Sequence, residues 1–424
     1  MKAYNSYKSS EIDWIEQIPS HWSENRIKYL FSEKPSTQNT DLNSGSISFG
    51  SVVYKDDNSI PESTKLSYQE VLVGEFLINP LNLNYDLKSL RTALSDKNVV
   101  VSQGYIVLRL EERDTDQSFF KHLLRVFDVE HMKSLGSGVR QTISFNHLGT
   151  EALPLPPIKE QKAIASFLDT KSSLIDSLIE KTQRKIKLLK EKRTSLINEV
   201  VTKGLNPNVE MKDSGVEWIG TMPNNWVKKK VSWISKVASG TTPKSDNKEY
   251  YENGTVKWLN TGDLNDGFLS TTKKLITQKA VDDCKLKQYS SYSVVVAMYG
   301  ATIGKTSVIT EPMTVNQACC VINDIKEVSS TWVYYVFLAS KSNLIFQGEG
   351  GGQPNINQET IRSHFVTIPP LSEQNRILTF LNEQTELIDK SVSIEEERIK
   401  LLKEYRQSLI SSVVTGKIKV TEDA

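Results

Sequence analysis

Apolar side chains recur every three or four positions along two long stretches, Ile158–Lys203 and Leu371–Thr415. In the first the seam runs Ile175, Leu178/Ile179, Thr182, Ile186, Leu189, Arg193, Leu196, Val200; in the second it runs Ile388, Val392, Glu395, Ile399, Leu402, Tyr405, Leu409, Val413. A period near 3.5 sustained this long predicts a coiled-coil seam with polar breaks at Thr182 and Glu395, which occupy equivalent positions. Pro156-Pro157 and Pro369-Pro370 precede the two stretches, and neither contains proline or glycine before Gly204 and Gly416. Helices should therefore start just after the prolines and stop at the glycines. At about 1.5 Å per residue each spans roughly 65–70 Å, more than a domain of some 130 residues needs to cover itself.

Outside these stretches the period shortens. Val71-Leu72-Val73, Val99-Val100-Val101, Tyr105-Ile106-Val107-Leu108, Val294-Val295-Val296-Ala297 and Cys320-Val321-Ile322 are β-type runs bounded by turn-forming residues. Short helices are predicted around Ser118–Phe127 and Thr331–Leu344. Each such region reads as a compact α+β domain.

The two halves repeat. Asp13-Trp14-Ile15-Glu16-Gln17-Ile18-Pro19-Ser20-His21-Trp22 recurs 204 residues later as Glu217-Trp218-Ile219-Gly220-Thr221-Met222-Pro223-Asn224-Asn225-Trp226. Leu155-Pro156-Pro157-Ile158-Lys159-Glu160-Gln161 recurs 213 residues later as Ile368-Pro369-Pro370-Leu371-Ser372-Glu373-Gln374, and the identities continue to Val200-Val201-Thr202 over Val413-Val414-Thr415. The chain is a tandem duplication. Between the repeated blocks lie two dissimilar inserts, 23–153 and 227–366, the second longer by 9 residues. The expected organisation is a first domain at 1–153 with its entry segment, a helix at 154–204, a second domain at 205–366 and a second helix at 367–424.

Composition narrows the function classes. A chain of 424 residues, 38% hydrophobic and 24% charged, can build more than one core. No run approaches 18 apolar residues, and the start, MKAYNSYKSS, lacks a secretory leader, so no membrane role and a cytoplasmic location are expected. Cys284, Cys319 and Cys320 fit neither a disulfide framework nor a zinc site. The net charge is +1 overall, but the first long stretch carries eleven basic and six acidic residues against six and eight in the second. Opposite signs favour pairing of the two helices with each other. Near-neutrality implies that any contact with nucleic acid is local or shared with more basic partners.

Catalytic signatures are missing where they would be needed. Gly300-Ala301-Thr302-Ile303-Gly304-Lys305-Thr306 has one residue too few between its glycines for a P-loop, and no helical pattern opens at Thr306. A loop touching DNA phosphate through Lys305, or a plain hairpin turn, remain the readings. Asn79-Pro80-Leu81 lacks the second proline and aromatic of an adenine methyltransferase motif. No glycine-rich cofactor loop, G-x-S-x-G or histidine ligand spacing is present. Three loops do carry residues suited to nucleic acid: Gly138, Arg140 and Gln141 in the first insert; Thr241, Thr242 and Lys244 in the second; and Gly352 with Gln353 further on. Ser102-Gln103 and Asn316-Gln317 complete the set. Singly, each also reads as a solvated turn; they fall at comparable places in both halves.

A W-I-x-x-x-P-x-x-W entry, a divergent domain, P-P-[IL]-x-E-Q and a long helix ending S-L-I-x-x-V-V-T, all present twice, resemble the specificity subunits of Type I restriction–modification systems over nearly the whole chain. Thr242-Pro243, Tyr299-Gly300-Ala301-Thr302-Ile303-Gly304-Lys305 and Asn316-Gln317 are similar to that family's target-recognition domains, which adds Tyr299 to the candidate DNA contacts. The first insert departs from the pattern, with Leu77-Ile78-Asn79-Pro80 in place of the glycine-lysine loop. The resemblance implies two target-recognition domains separated by two long helices in an antiparallel coiled coil. It implies a chain without catalysis of its own that reads an asymmetric, split site in double-stranded DNA. Two modification subunits and the restriction/translocase subunits would be its partners, and S-adenosylmethionine, ATP and Mg would be bound by them and not by this chain. The alternatives are the specificity subunit of a methylation-only complex, a self-contained DNA methyltransferase, and a coiled-coil adaptor with no DNA role.

Overall fold

The computed structural model describes residues 2–81, 90–111, 114–135, 142–348 and 355–420. It is α+β throughout and divides into two compact units, Met1–Thr182 with Glu397–Ala424, and Gln183–Glu396. Each unit holds one of the dissimilar inserts together with a length of both long helices. These helices, Ile158–Lys203 and Leu371–Val414, begin immediately after their Pro-Pro pairs. Both stop as the sequence requires. Gly204 and Gly416 take φ of +75° and +77°, the left-handed geometry that glycine tolerates best. A side chain at Gly416 could not fit, since its Cβ would lie 2.3 Å from Pro19.

Within each unit the two helical lengths run antiparallel, packed in one core. In the second unit Lys185 pairs with Glu395 at 2.5 Å, Lys190 with Glu396 at 3.1 Å and Arg193 with Asp389 at 2.9 Å. The cations all come from the central helix and the anions from the C-terminal one, as the opposite net charges imply. In the first unit Arg406 pairs with Asp176. Arg406 and Asp176 stand 213 residues from Arg193 and Asp389, so each unit contains the mirror of the other's ion pair. This corrects the expected seam at one point. Tyr405 is half exposed, and Arg406 turns inward instead, because only position 406 keeps the alternating three- and four-residue spacing from Leu402 to Leu409.

The duplicated entry segment begins earlier than its tryptophans. Tyr7–Ser9 pairs antiparallel with Gln17–Pro19, and Met211–Asp213 with Thr221–Pro223. Trp22 and Trp226, at the end of each hairpin, are fully buried. Next, Ser23–Arg26 pairs with Ala152–Leu155, and Val227–Lys230 with Phe365–Ile368, so each insert enters and leaves through a two-stranded neck.

The paired Glu-Gln after Pro-Pro locks that neck to its helix. Glu160 accepts hydrogen bonds from Trp22 Nε1 at 3.1 Å, His21 Nε2 at 2.9 Å and the Tyr4 hydroxyl. Glu373 accepts from Trp226 Nε1 at 2.9 Å. Gln161 Nε2 donates to Pro156 O at 2.8 Å while its Oε1 accepts from Asp116 N at 2.9 Å. Gln374 Nε2 donates to Pro369 O at 2.9 Å and Glu327 O at 3.1 Å. Glu160, Gln161 and Gln374 are buried and Glu373 is half-buried; a buried group of this kind costs about 1–3 kcal/mol to leave unpaired, which explains why both residue types are fixed in both copies.

Each core joins insert to helices. Phe31, Phe119, Phe120 and Phe127 pack with Ile164 and Leu168 of the central helix and Leu409 and Val413 of the C-terminal one. In the second unit Trp332, Phe337 and Val294 pack with Val200, Ile377 and Leu381. The first core is also closed by residues 418–420: Lys419 bridges Lys2, its N–H donating to Lys2 O at 2.8 Å, and Ile418 and Val420 pack against the core.

The expected short helices form over Gln117–Glu130, capped by the Asp116 carboxylate, and over Ser330–Ala339, capped by Ser329, followed by Lys341–Phe346. Four of the five strand expectations fall on observed strands. The fifth shifts: the strand is Gln69–Val71, and Val73 is exposed where the chain turns at Gly74, φ +87°. The Gln69 amide compensates for its own burial by donating to Tyr105 O at 2.7 Å.

Two buried titratable groups give the units opposite responses to acid. Burial holds the His364 imidazole down at about 3, so the second unit is fully stable only above the ordinary histidine value of about 6.5. As pH falls below that value the unfolded chain takes up a proton that the folded one refuses. Burial pushes the Asp128 carboxyl up to about 6, against a hydrogen bond from the Arg91 N–H. The folded first unit therefore binds a proton more readily than its unfolded chain, and loses stability as pH rises from about 4 towards 6. Between pH 7 and pH 5 the expected change is a loss of about 2 kcal/mol for the second unit and a gain of about 1 kcal/mol for the first. Urea unfolding of the His364→Gln and Asp128→Asn variants at both pH values checks this; equal slopes in wild type and variants would reject it.

Candidate nucleic-acid interface

The second insert is built on a five-stranded sheet. Cys319–Asn323 lies between Lys236–Ser239 and Val294–Ala297, with Thr306–Ile309 next and Phe268–Leu269 at the edge. Register places the end of one strand opposite the start of its neighbour: Ser239 faces Cys320, Ala297 faces Cys319, and Val296 faces Thr306. Residues 240–244, 298–305 and 316–318 therefore emerge at one end of the sheet. These segments hold Thr241, Thr242, Lys244, Tyr299, Lys305, Asn316 and Gln317.

Close approach makes this rim compact. A Cβ on Gly240 would lie 1.8 Å from Val315 O, so only glycine lets the 240–244 loop lie against the segment leading to Asn316. Thr241 N–H donates to Val315 O at 3.1 Å, and the Thr242 hydroxyl donates to Gln317 Oε1. Asn316 Nδ2 donates to Asn260 Oδ1 at 3.2 Å, while Asn316 Oδ1 is buried with no partner. Thr241, Thr242, Lys244, Tyr299 and Gln317 are exposed, and Lys305 is half-buried. The rim thus holds two hydroxyls, two amides, a phenol and two amines, the donor and acceptor types that read base edges and hold phosphates.

The P-loop-like run is a hairpin turn. Gly300 and Gly304 take φ of +80° and +74°, Gly304 N–H donates to Ala297 O at 2.9 Å, and the next element is the strand Thr306–Ile309. No helix N-terminus follows to cradle a nucleotide phosphate.

The first insert has a four-stranded sheet in the same order, Phe31–Glu33, Ile106–Leu110, Phe76–Ile78 and Thr92–Leu94. Ser102 and Gln103 precede Ile106–Leu110 just as Asn316 and Gln317 precede Cys319–Asn323. Ser102 is half-buried and Gln103 exposed. A Cβ on Gly104 would touch Leu81 at 3.3 Å, so this turn and the chain leaving Phe76–Ile78 approach each other, as their counterparts do in the second insert. Gly138, Arg140, Gln141, Gly352 and Gln353 lie outside the described residues.

Two asparagines escaped the sequence reading. Asn260 backs Asn316 in the second rim, and Asn39 in the first insert donates to Glu70 Oε2 at 2.8 Å. Asn260 had a signal, the turn sequence Asn260-Thr261-Gly262-Asp263 directly after the apolar pair Trp258-Leu259. Asn39 had none, because its partner Glu70 belongs to a buried network around Lys34 Nζ, which also holds Glu75 at 3.0 Å. Among the described residues no helix is long and apolar enough to cross a membrane.

Two α+β domains of one topology, each with a polar loop rim and a share of two long helices, define a duplicated DNA-recognition architecture. The model of the Type I restriction modification DNA specificity domain matches residues 19–188 and again 223–404. The chain belongs to that family, with two copies of its domain. Its relatives include the MjaVIII specificity subunit of Methanocaldococcus jannaschii, a Type I restriction enzyme component 23% identical over 99% of this chain and 98% of that one. The MjaIX specificity subunit of the same organism is 30% identical over 176 residues, 40% of each chain. A chain from a solved type I R-M system has the same fold, with a TM-score of 0.70 at 15% identity over 95% of this chain and 99% of that one.

Proposed function

We propose that this chain is the DNA-reading specificity subunit of a Type I restriction–modification enzyme, and that each rim reads one half of an asymmetric, bipartite site. The observation that carries this is the duplicated frame with unlike rims: neck, Glu-Gln lock and helices repeat, while the loops that emerge from the two sheets do not. Identical rims on such a frame would suit a palindrome; these suit two different half-sites.

The chain supplies recognition and not chemistry. Among the described residues no set resembles a methyl-transfer or phosphodiester-cleaving site, and on this reading S-adenosylmethionine, ATP and Mg would be bound by partner subunits. The helices offer two equivalent places for such partners. Leu174 and Leu387, and likewise Leu188 and Leu401, are repeat-related leucines more than half exposed on the two long helices. Exposed leucines at matched positions favour two copies of one modification subunit. A restriction subunit would join that assembly in the cytoplasm.

Exchange of residues 23–153 for those of another such subunit tests the reading. Methylome sequencing of a host carrying the exchanged gene is expected to show one half-site changed and the other kept. An unchanged methylation pattern would favour an adaptor without a DNA role. Methyl incorporation by the purified chain alone would instead make it a self-contained methyltransferase.

A further inference from the structure

The necks of the two units carry one junction in two chemical versions. In each, the residue that ends the main helix of the insert meets the residue just before the exit strand, under an entry tryptophan. In the second unit these are Ser340 and His364, hydrogen-bonded at 2.8 Å, with Trp218 stacked on His364 at 5.3 Å. His364 is buried and lies 213 residues after Glu151. In the first unit the corresponding pair is His131 and Glu151, with Nε2 and Oε2 2.7 Å apart, and Trp14 stacks on His131 at 6.5 Å. Asp13, beside Trp14, completes a group: one ligand atom from each of Asp13, His131 and Glu151 lies within 4.8 Å of the others.

We propose that Asp13, His131 and Glu151 form a binding site for one divalent transition-metal ion of the zinc class. One imidazole and two carboxylates are a donor set that such ions favour over Mg or Ca, which prefer all-oxygen shells. Ligand atoms around a tetrahedral zinc lie about 3.4 Å apart, so the group needs side-chain adjustments of about 1 Å. The ring of His131 is already positioned by Trp14 and by Phe127 at 5.7 Å, and its backbone by Phe127 O, which accepts from His131 N–H at 2.9 Å. The site is half-exposed, which leaves a coordination position for water. Sequence spacing could not reveal it, because the three ligands come from the entry segment, the helix end and the exit strand. An ion there would staple those three segments at the neck of the first unit. Among the described residues the second unit, with a serine in place of His131 and its histidine buried in a hydrogen bond, has no such set.

Titration of the full chain with ZnCl2, followed by calorimetry and by melting temperature, tests the proposal. One ion per chain is expected, with the melting transition of the first unit raised about 5–10 °C at a hundredfold excess over the dissociation constant, and no response to MgCl2. His131→Gln and Glu151→Gln should each weaken binding by at least about 100-fold while the far-ultraviolet circular dichroism stays that of the wild type. Asp13→Asn, an exposed change that does not threaten folding, should weaken it as well. Absence of zinc binding by the wild-type chain would overturn the site and leave a histidine–glutamate ion pair. Undiminished binding by Asp13→Asn together with His131→Gln would overturn it equally. Neither result bears on DNA recognition, which the methylome experiment addresses separately.

Discussion

Alanine at both Asn316 and Gln317 is expected to abolish methylation at one half-site class while the assembled complex remains intact. Gln317 is exposed just before the strand Cys319–Asn323 and bonded to Thr242, and Asn316 keeps an unsatisfied buried oxygen beside Asn260. The exposed Gln317 amide can make a bidentate contact with an adenine edge, worth about 1–3 kcal/mol of discrimination, while Asn316 holds the rim against Asn260. Loss of that contact and of its support predicts roughly 10–10²-fold weaker binding to the native site, with non-specific binding and its salt dependence retained. Lys305→Ala should behave differently, weakening all DNA alike and lowering the salt slope by about one. Competition titrations of the complex on native and scrambled duplexes separate the two outcomes. A uniform loss in the double-alanine variant would move these residues from base reading to phosphate holding.

Removal of one heptad from each helix within the second unit, residues 187–193 and 389–395, is expected to move the two recognised half-sites closer together. The two deletions oppose each other in the antiparallel pair and take Arg193 and Asp389 out together, so the seam closes again in the same frame. Seven residues correspond to about 10.5 Å of helix, or roughly three base pairs at about 3.4 Å each. Methylome sequencing should then report the same bases read at both ends with a gap shortened by about three. An unchanged gap, with both helices shown to be shorter, would sink the idea that the helices set the spacing.

Much of this architecture is written in the sequence because it is written twice. The Pro-Pro starts, the glycine stops and the helix pair follow from local rules that hold in both copies. The reason for Glu160 and Gln161 does not, since their partners Trp22 and Asp116 are 138 and 45 residues away. The entry strands Tyr7–Ser9 and Met211–Asp213 were invisible for another reason. Three-residue strands have no period to detect, and they share only Lys8 and Lys212 as identities. Placement of Tyr405 in the seam, where Arg406 stands, shows the limit of hydrophobicity alone. A charged residue can sit inward when its partner, here Asp176, is supplied by the facing helix. The rim residues of the second insert were legible because turn chemistry marks them; their convergence depended on strand order, which no single stretch encodes.

The closure of the first unit by Lys419 against Lys2 also fixes an order of maturation. The second unit is one unbroken stretch of chain, 183–396, and can finish folding as soon as it leaves the ribosome. The first unit begins upstream of the second, yet its core lacks Leu409, Val413 and Ile418 until that later stretch has been made. A product that stops before residue 397 thus leaves the apolar side chains that pack against Leu409 and Val413 uncovered. Synthesis of the stretch after residue 396 thus becomes a condition for closing the first core, a dependence set by topology.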